Sequence, residues 1–190
     1  MIVNGIIAIS QDGGIGINNH LPWKLQEELK HFQEVTTCTQ DKTKKNAVIM
    51  GRKTWDSIPD KFKPLKNRVN IIVSNTLTFS TLNNTWIHSN LQNAIKFLNS
   101  QQNIETVWII GGISIYLEAL KLNLLDFMYV TEIYKKYECD TFFNIKVLKN
   151  FNELKELTSE IKWENKVSYQ YKIYKNMKTY GHDITCSLGV

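Results

Sequence analysis

The sequence predicts a single α/β domain built on a mostly parallel sheet, with an antiparallel hairpin at its C-terminal edge. Three observations predict it. Apolar runs of strand length alternate along the chain with segments of helical period. The runs VIM, NIIV and VWII are apolar throughout or nearly so, as strands buried on both faces require. The last run, VSYQYKIYKN, alternates apolar and polar residues, which suits a half-exposed antiparallel edge.

The elements follow in order. Ile2 to Ser10 is the first strand; no basic segment precedes it, so it reads as core and not as a signal peptide. Leu25, Leu29, Phe32 and Val35 recur at helical spacing and place a helix over Leu25 to Thr36. Further strands are expected at Ala47 to Met50, Val69 to Ser74, Thr85 to His88, Thr106 to Ile110, Leu125 to Ile133 and Val167 to Lys175. Short helices are expected at Thr54 to Ser57, Leu91 to Asn99 and Ser114 to Leu120. The polar stretches Thr36 to Asn46 and Leu77 to Asn84 read as surface loops. Met177 to Val190 carries no periodicity, so this tail is either disordered or a lead toward a further domain.

Composition narrows the class. A chain of 190 residues, 43% hydrophobic and 22% charged, can bury a core as one domain without disulfides or metals. The net charge of +5 comes from dispersed lysines, with no basic block interleaved with aromatics, so nucleic-acid binding is not indicated. A mild positive field favours anionic small molecules. Cys38, Cys139 and Cys186 show no ligand or framework spacing, and the histidines are scattered, which argues against a metal site and for a reducing cytosolic compartment. No segment reaches transmembrane length, and no GxSxG, HExxH or paired-acid arrangement supports hydrolysis.

The candidate chemistry begins with Glu28. It lies three residues after Leu25, four before Phe32 and seven before Val35, on the apolar stripe. A carboxylate there loses solvation and needs a partner or a proton, which raises its pKa. The competing reading is a rim glutamate that reaches water or pairs with a lysine. Upstream, Gly13, Gly14 and Gly16 precede Leu21-Pro22-Trp23, as a mobile flap or an ordinary glycine-bearing connection. Arg52, Lys53 and Thr54 follow the strand AVIM and one glycine; they form a phosphate site at a helix N-terminus or a solvated basic turn. Gly111 and Gly112 open a second strand-to-helix junction, where backbone can approach a phosphate closely or simply turn. This junction is neither GxGxxG nor a Walker loop. Arg68, at a strand start, either grips a carboxylate bidentately or faces solvent.

Taken together and in order, IIAISQDGGIG, LPWKLQEELKHF, AVIMGRKTWDSIP, PLKNRVNIIVS, VWIIGGISIY, YVTEI and DTFF resemble the dihydrofolate reductase family, from the first strand to about Asn176. The resemblance implies a central, mostly parallel eight-stranded sheet with helices on both faces. It also implies a reductase domain over residues 1–176 and a tail over 177–190. The implied activity is hydride transfer from NADPH to C6 of 7,8-dihydrofolate with protonation at N5, giving tetrahydrofolate for one-carbon and thymidylate metabolism. The alternatives are a related pterin or pyrimidine reductase and a non-catalytic cofactor-binding protein. The implied partners are dihydrofolate and antifolate inhibitors; the chain would be a monomer or the reductase part of a fusion with thymidylate synthase.

By the same resemblance, Glu28 would hold the pterin 2-amino group and N3, supported by Thr131, while Trp23 would hold a water for protonation. Ile6 and Ile110, through backbone oxygens, would frame the pterin and nicotinamide edge with Tyr116. Leu29, Phe32, Ile58 and Leu65 would line the apolar slot for the pterin and benzoyl rings, Ile7 would also contact the substrate, and Arg68 would bind the α-carboxylate of the glutamate. Ala8, with Ile15, Gly16 and the loop to His20 and Leu21, would contact the nicotinamide half of the cofactor. Gly51, Arg52, Lys53 and Thr54, with Gly111, Gly112, Ile113, Ser114, Ile115, Tyr116 and the helix to Glu118, would hold its phosphates. Ser74, Asn75 and Thr76 would flank the adenosine, and the Gly111–Gly112 peptide would be cis. Departures are Glu28, where bacterial members usually carry Asp, and Leu29, where vertebrate members usually carry Phe. Several relatives carry an arginine near Asn75 or Asn90; here the 2′-phosphate falls to Arg52 and Lys53.

Overall fold

A computed structural model describes residues 1–77 and 82–178. The chain runs through β1 (Ile2–Ser10), β2 (Gly14–Gly16), α1 (Gln26–Thr37), β3 (Lys45–Gly51), α2 (Arg52–Ser57), β4 (Arg68–Val73), β5 (Thr85–His88) and α3 (Leu91–Asn99). It continues through β6 (Ile104–Gly111), α4 (Ile113–Lys121), β7 (Phe127–Ile133), β8 (Thr141–Phe142), β9 (Phe151–Glu153), β10 (Lys162–Glu164) and β11 (Val167–Asn176). Eight strands form the sheet in the order β10-β11-β7-β1-β6-β3-β4-β5, and a ninth, β9, pairs with β11 off this path. From β7 to β5 every pairing is parallel, whereas β11 is antiparallel to β7, β9 and β10. The predicted parallel sheet with an antiparallel C-terminal hairpin is therefore present. β9 and β10 were not predicted, because each is three residues long and too short to show a period.

The two-residue period of the buried strands sorts their side chains onto two faces. Val3, Ile7, Ala47, Ile49, Val69, Ile71, Val107 and Ile109 pack against Leu91, Ala94, Ile95 and Leu98 of α3 and Ile115 and Ala119 of α4. Ile6, Val48, Met50, Ile72 and Trp108 pack on the other face against Val35 of α1 and Trp55 of α2. Helices thus cover both faces, and each large apolar side chain so buried contributes about 1.5–3 kcal/mol.

The stretch Thr36 to Asn46 is not wholly a surface loop. Thr36 and Thr37 close α1, while Lys45 and Asn46 open β3, and both Thr36 and Asn46 are buried. Asn46 Nδ2 donates to the carbonyls of Thr36 at 3.2 Å and Cys38 at 2.7 Å, and its Oδ1 accepts from the Thr106 amide at 3.1 Å. Polar composition misled there because these polar groups are satisfied internally. The expected loop Leu77 to Asn84 and the expected tail Met177 to Val190 both lie partly outside the described residues. Among the described residues, Cys139 is a free cysteine. Among the described residues no helix is long and apolar enough to cross a membrane.

Candidate active site

α1 carries Glu28 onto the sheet where Ala8 of β1 pairs with Thr131 of β7. Glu28 is only 6% exposed, although Glu27, Lys30 and Glu34 around it are exposed. Among the described residues, its one hydrogen bond from a side chain comes from Thr131 Oγ1, which donates to Oε1 at 3.2 Å. Burial pushes the Glu28 carboxyl up to about 7; the Thr131 bond opposes this and the charge of Glu164 adds to it. The rim reading of Glu28 does not hold. The apolar stripe is a little different from its prediction: Leu25 and Val35 are buried, but Leu29 stands at the mouth, 49% exposed. Trp23 is buried edge-on to Tyr137 at 5.5 Å, and its Nε1 has no acceptor among the described residues.

Beside α1 lies an apolar slot. Phe32, Ile58, Leu65 and Ile110 are partly buried together against the α1 and α2 face of the sheet. The side chain of Ile7 packs in the opposite core, so it is its backbone that runs along this side of β1. Tyr116 is also in that opposite core, but its hydroxyl donates to the Ile6 carbonyl at 2.6 Å and so ties α4 to β1. Burial holds this phenol well above its ordinary range, so it remains a neutral donor.

Arg68 stands at the start of β4 and is 5% exposed. Its Nε donates to the Lys66 carbonyl at 3.0 Å and Nη1 to Thr36 Oγ1 at 2.6 Å, with the guanidinium 5.8 Å from the Phe32 ring centre. Among the described residues no carboxylate forms an ion pair with it. Desolvation lowers its pKa to about 10, which still leaves a full positive charge at neutral pH. A buried cation held only by neutral oxygens favours an anionic ligand.

The two strand-to-helix junctions come side by side, because β3 and β6 are parallel neighbours with Met50 opposite Gly111. A Cβ on Gly112 would stand 3.2 Å from Thr54 Oγ1, and one on Gly111 3.3 Å from the Tyr116 ring. Gly111 has φ +117°, where only glycine is at ease, and the Gly111–Gly112 peptide is cis as the resemblance implied. Gly112 caps α4 without a side chain, so no side chain caps the amides of that first turn, which includes Ile113, Ser114 and Ile115. The side chain of Ile115 itself is buried in the core, with Ile113 packed against that core. Arg52 and Lys53 are exposed in the first turn of α2, and Arg52 reaches Asp56 at 3.8 Å. Ser74 Oγ accepts from the amides of Thr76 and Leu77, closing a turn that leaves Asn75 exposed.

The glycine loop is tethered. β2 pairs with β8, the Asp140 amide donates to the Gly16 carbonyl at 3.0 Å, and Asp140 Oδ2 accepts from the Asn18 amide at 2.7 Å. A bridge between Ile17 and His20 shapes the turn that presents Ile15 and Gly16 on one side and exposed Leu21 on the other. Asp140 leaves no local sign of this anchoring role, since Asn18 and Gly16 lie some 120 residues away, although the adjacent Thr141 also donates to its Oδ1 at 2.8 Å. Among the described residues no group of three His, Cys, Asp or Glu side chains converges as metal ligands. Ile6 and Thr131 also line a cavity of about 480 Å³ on the other flank of α1, walled by His31 and Tyr171 stacked at 3.6 Å.

A protein-family model described as dihydrofolate reductase matches residues 2–176. Among curated relatives, the chain is 38% identical over 180 residues to a dihydrofolate reductase of Heliothis virescens, covering 92% of this chain and 97% of that protein. It is 39% identical over 174 residues to that of Drosophila melanogaster, covering 90% and 95%. It is 38% identical over 180 residues to that of Sus scrofa, covering 91% and 97%.

Proposed function

The chain belongs to the dihydrofolate reductase family, and on that premise we propose how its residues carry the NADPH-dependent reduction of 7,8-dihydrofolate to tetrahydrofolate. One observation carries the reading: a buried acid, Glu28, and a buried cation, Arg68, neither with an ion-pair partner among the described residues, flank one apolar slot. Glu28 offers a carboxylate for the donors of a pterin, its 2-amino group and N3. Arg68 offers a guanidinium for the substrate's α-carboxylate, and Phe32, Ile58 and Leu65, with Leu29 at the mouth, cover the rings between.

Thr131 fixes the Glu28 carboxylate, and Trp23 Nε1, a buried donor without an acceptor among the described residues, positions a water toward N5. The raised proton affinity of Glu28 keeps a proton available to that water near neutral pH. The bond from Tyr116 holds the Ile6 carbonyl at the edge of the reacting rings. The residues suited to NADPH are the uncapped first turn of α4, the close glycines Gly111 and Gly112, and Thr54 with the cations Arg52 and Lys53. When bound, NADPH supplies the hydride delivered to C6. Ala8 and the loop from Ile15 to Leu21 would close over its nicotinamide, and Ser74, Asn75 and Thr76 would flank its adenosine.

Loss of NADPH absorbance on addition of dihydrofolate tests the reading, and no turnover under saturating cofactor defeats it. A second expectation concerns the loop. Asp140→Ala removes the carboxylate that holds Asn18, a charge-assisted bond whose loss at an exposed site is about 1 kcal/mol. The kcat is expected to fall ~5-fold with little change in KM for dihydrofolate, because the loop covers the cofactor and not the glutamate end. We place the enzyme in the cytosol, with residues 1–176 as the reductase domain, either monomeric or joined through the tail to thymidylate synthase.

A further inference from the structure

α1 has an unusual beginning. Its N-cap, Leu25, has a fully buried apolar side chain and supplies no capping bond. The first amides are satisfied from far along the chain. The Gln26 amide donates to Glu164 Oε1 at 2.6 Å and the Glu27 amide to Glu164 Oε2 at 3.0 Å, across sequence separations of 138 and 137. Both carboxylate oxygens are thus engaged at the positive end of the helix dipole.

The β10–β11 hairpin places Glu164 there. Asn165 and Lys166 adopt φ of 49° and 63°, the pair of left-handed residues that a two-residue hairpin turn requires. The turn sets Glu164 opposite Val167 in the ladder, and Asn165 Nδ2 donates to the Lys24 carbonyl at 3.3 Å. The following strand packs Val167 and Tyr169 against Trp23 and Leu25. The hairpin therefore holds the start of α1 by an apolar contact on one side and by a carboxylate clamp on the other.

We propose that Glu164 is a positioning residue for the reductase: it replaces the missing N-cap of α1 and sets the placement and charge environment of Glu28, which follows directly on the two clamped residues. The proposal rests on the role assigned to Glu28 above. Its electrostatic part depends on what else faces Glu28. From other elements these groups are Thr131 of β7, Tyr116 of α4, and Tyr169 and Tyr171 of β11, all neutral at physiological pH. His31, on α1 and stacked on Tyr171, is held neutral by burial and by Lys162, its pKa lowered to about 4. The charged groups lining the same cavity are Lys162 of β10 and Lys172 of β11, with Glu27, Lys30 and Glu34 on α1 itself. Beside them, the charge of Glu164 at the start of α1 favours the protonated form of Glu28.

Two variants separate the cap from the charge. Glu164→Gln keeps an acceptor oxygen and loses the charge, whereas Glu164→Ala loses both. The first readout is the carboxyl carbon resonance of Glu28 followed against pH in the ligand-free full chain, which needs no turnover. In Glu164→Gln that titration is expected to move down by about half a pH unit, with thermal stability near that of the wild type. The alkaline limb of kcat should move with it, and Glu164→Ala should in addition lose about fivefold in kcat, as loss of a helix cap predicts. Titrations that superimpose in all three proteins, with only Tm reduced in the alanine variant, overturn the proposal and leave a purely structural cap. A wild type without dihydrofolate turnover defeats the reductase reading instead, and the resonance titration still decides the effect of Glu164 on Glu28.

Discussion

Glu28→Gln is expected to lower kcat for dihydrofolate at pH 7 by a few hundred-fold, about 3 to 4 kcal/mol of barrier. The amide occupies the same volume and still meets Thr131, but it cannot carry a proton toward N5 or accept from both donors of the pterin. The residual rate should climb as pH falls, because only protonation of the substrate from solvent then remains. The same substitution is expected to stabilise the ligand-free protein. Glu28 has its pKa raised from 4.5 to about 7 in the folded state, so the folded chain binds the proton more tightly than the unfolded one. The stability this contributes is complete below pH 4.5 and is lost as pH rises through about 7. Above that range the wild type should be less stable than the glutamine variant by on the order of 3 kcal/mol, and near pH 4 the two should converge. Urea unfolding at pH 4, 6 and 8 measures the divergence, with turnover followed on the same samples. Unchanged turnover at neutral pH would falsify the role of Glu28, and equal stability at pH 8 would remove the desolvation on which that role rests.

This opposition between stability and activity was partly legible in the sequence. Helical spacing alone put Glu28 among Leu25, Phe32 and Val35, and the structure buries it with two of them. The same spacing over-assigned Leu29, because an apolar stripe records which face is apolar and not where that face meets a ligand slot. The alternation of strands and helices predicted the parallel sheet, since burial on both faces leaves a continuous apolar run. Features made by long-range contact left no local mark. Glu164 reads as one acid in a polar hairpin, and nothing near it indicates a helix start 138 residues away. Asp140 is equally silent, and Arg68 has polar neighbours, Lys66 and Asn67, that read as surface. Thr36, which buries the Arg68 guanidinium by accepting its hydrogen bond, lay in a stretch whose polarity suggested a loop. Pattern shows where a chain is buried when apolar residues do the burying; it does not show where polar groups satisfy one another inside.

Arg68→Ala is expected to raise KM for dihydrofolate by about a hundred-fold, close to 3 kcal/mol, with a much smaller change in kcat. The guanidinium is already desolvated and ordered by Lys66 and Thr36, so a carboxylate arriving there gains the pair without the cost of organising it. A reduced pterin that lacks the glutamate makes no such pair, and its KM should be the same in wild type and variant. That comparison separates a carboxylate clamp from a general disturbance of the slot, which would weaken both substrates alike. The ligand-free variant should not lose stability beyond what a small packing defect against Phe32 explains, because a buried cation held only by neutral oxygens contributes little to folding. An unchanged KM for dihydrofolate would instead favour a reductase for a pterin without the glutamate tail, since Glu28 and Thr131 would still hold its ring while Arg68 served only to join β4 to the end of α1.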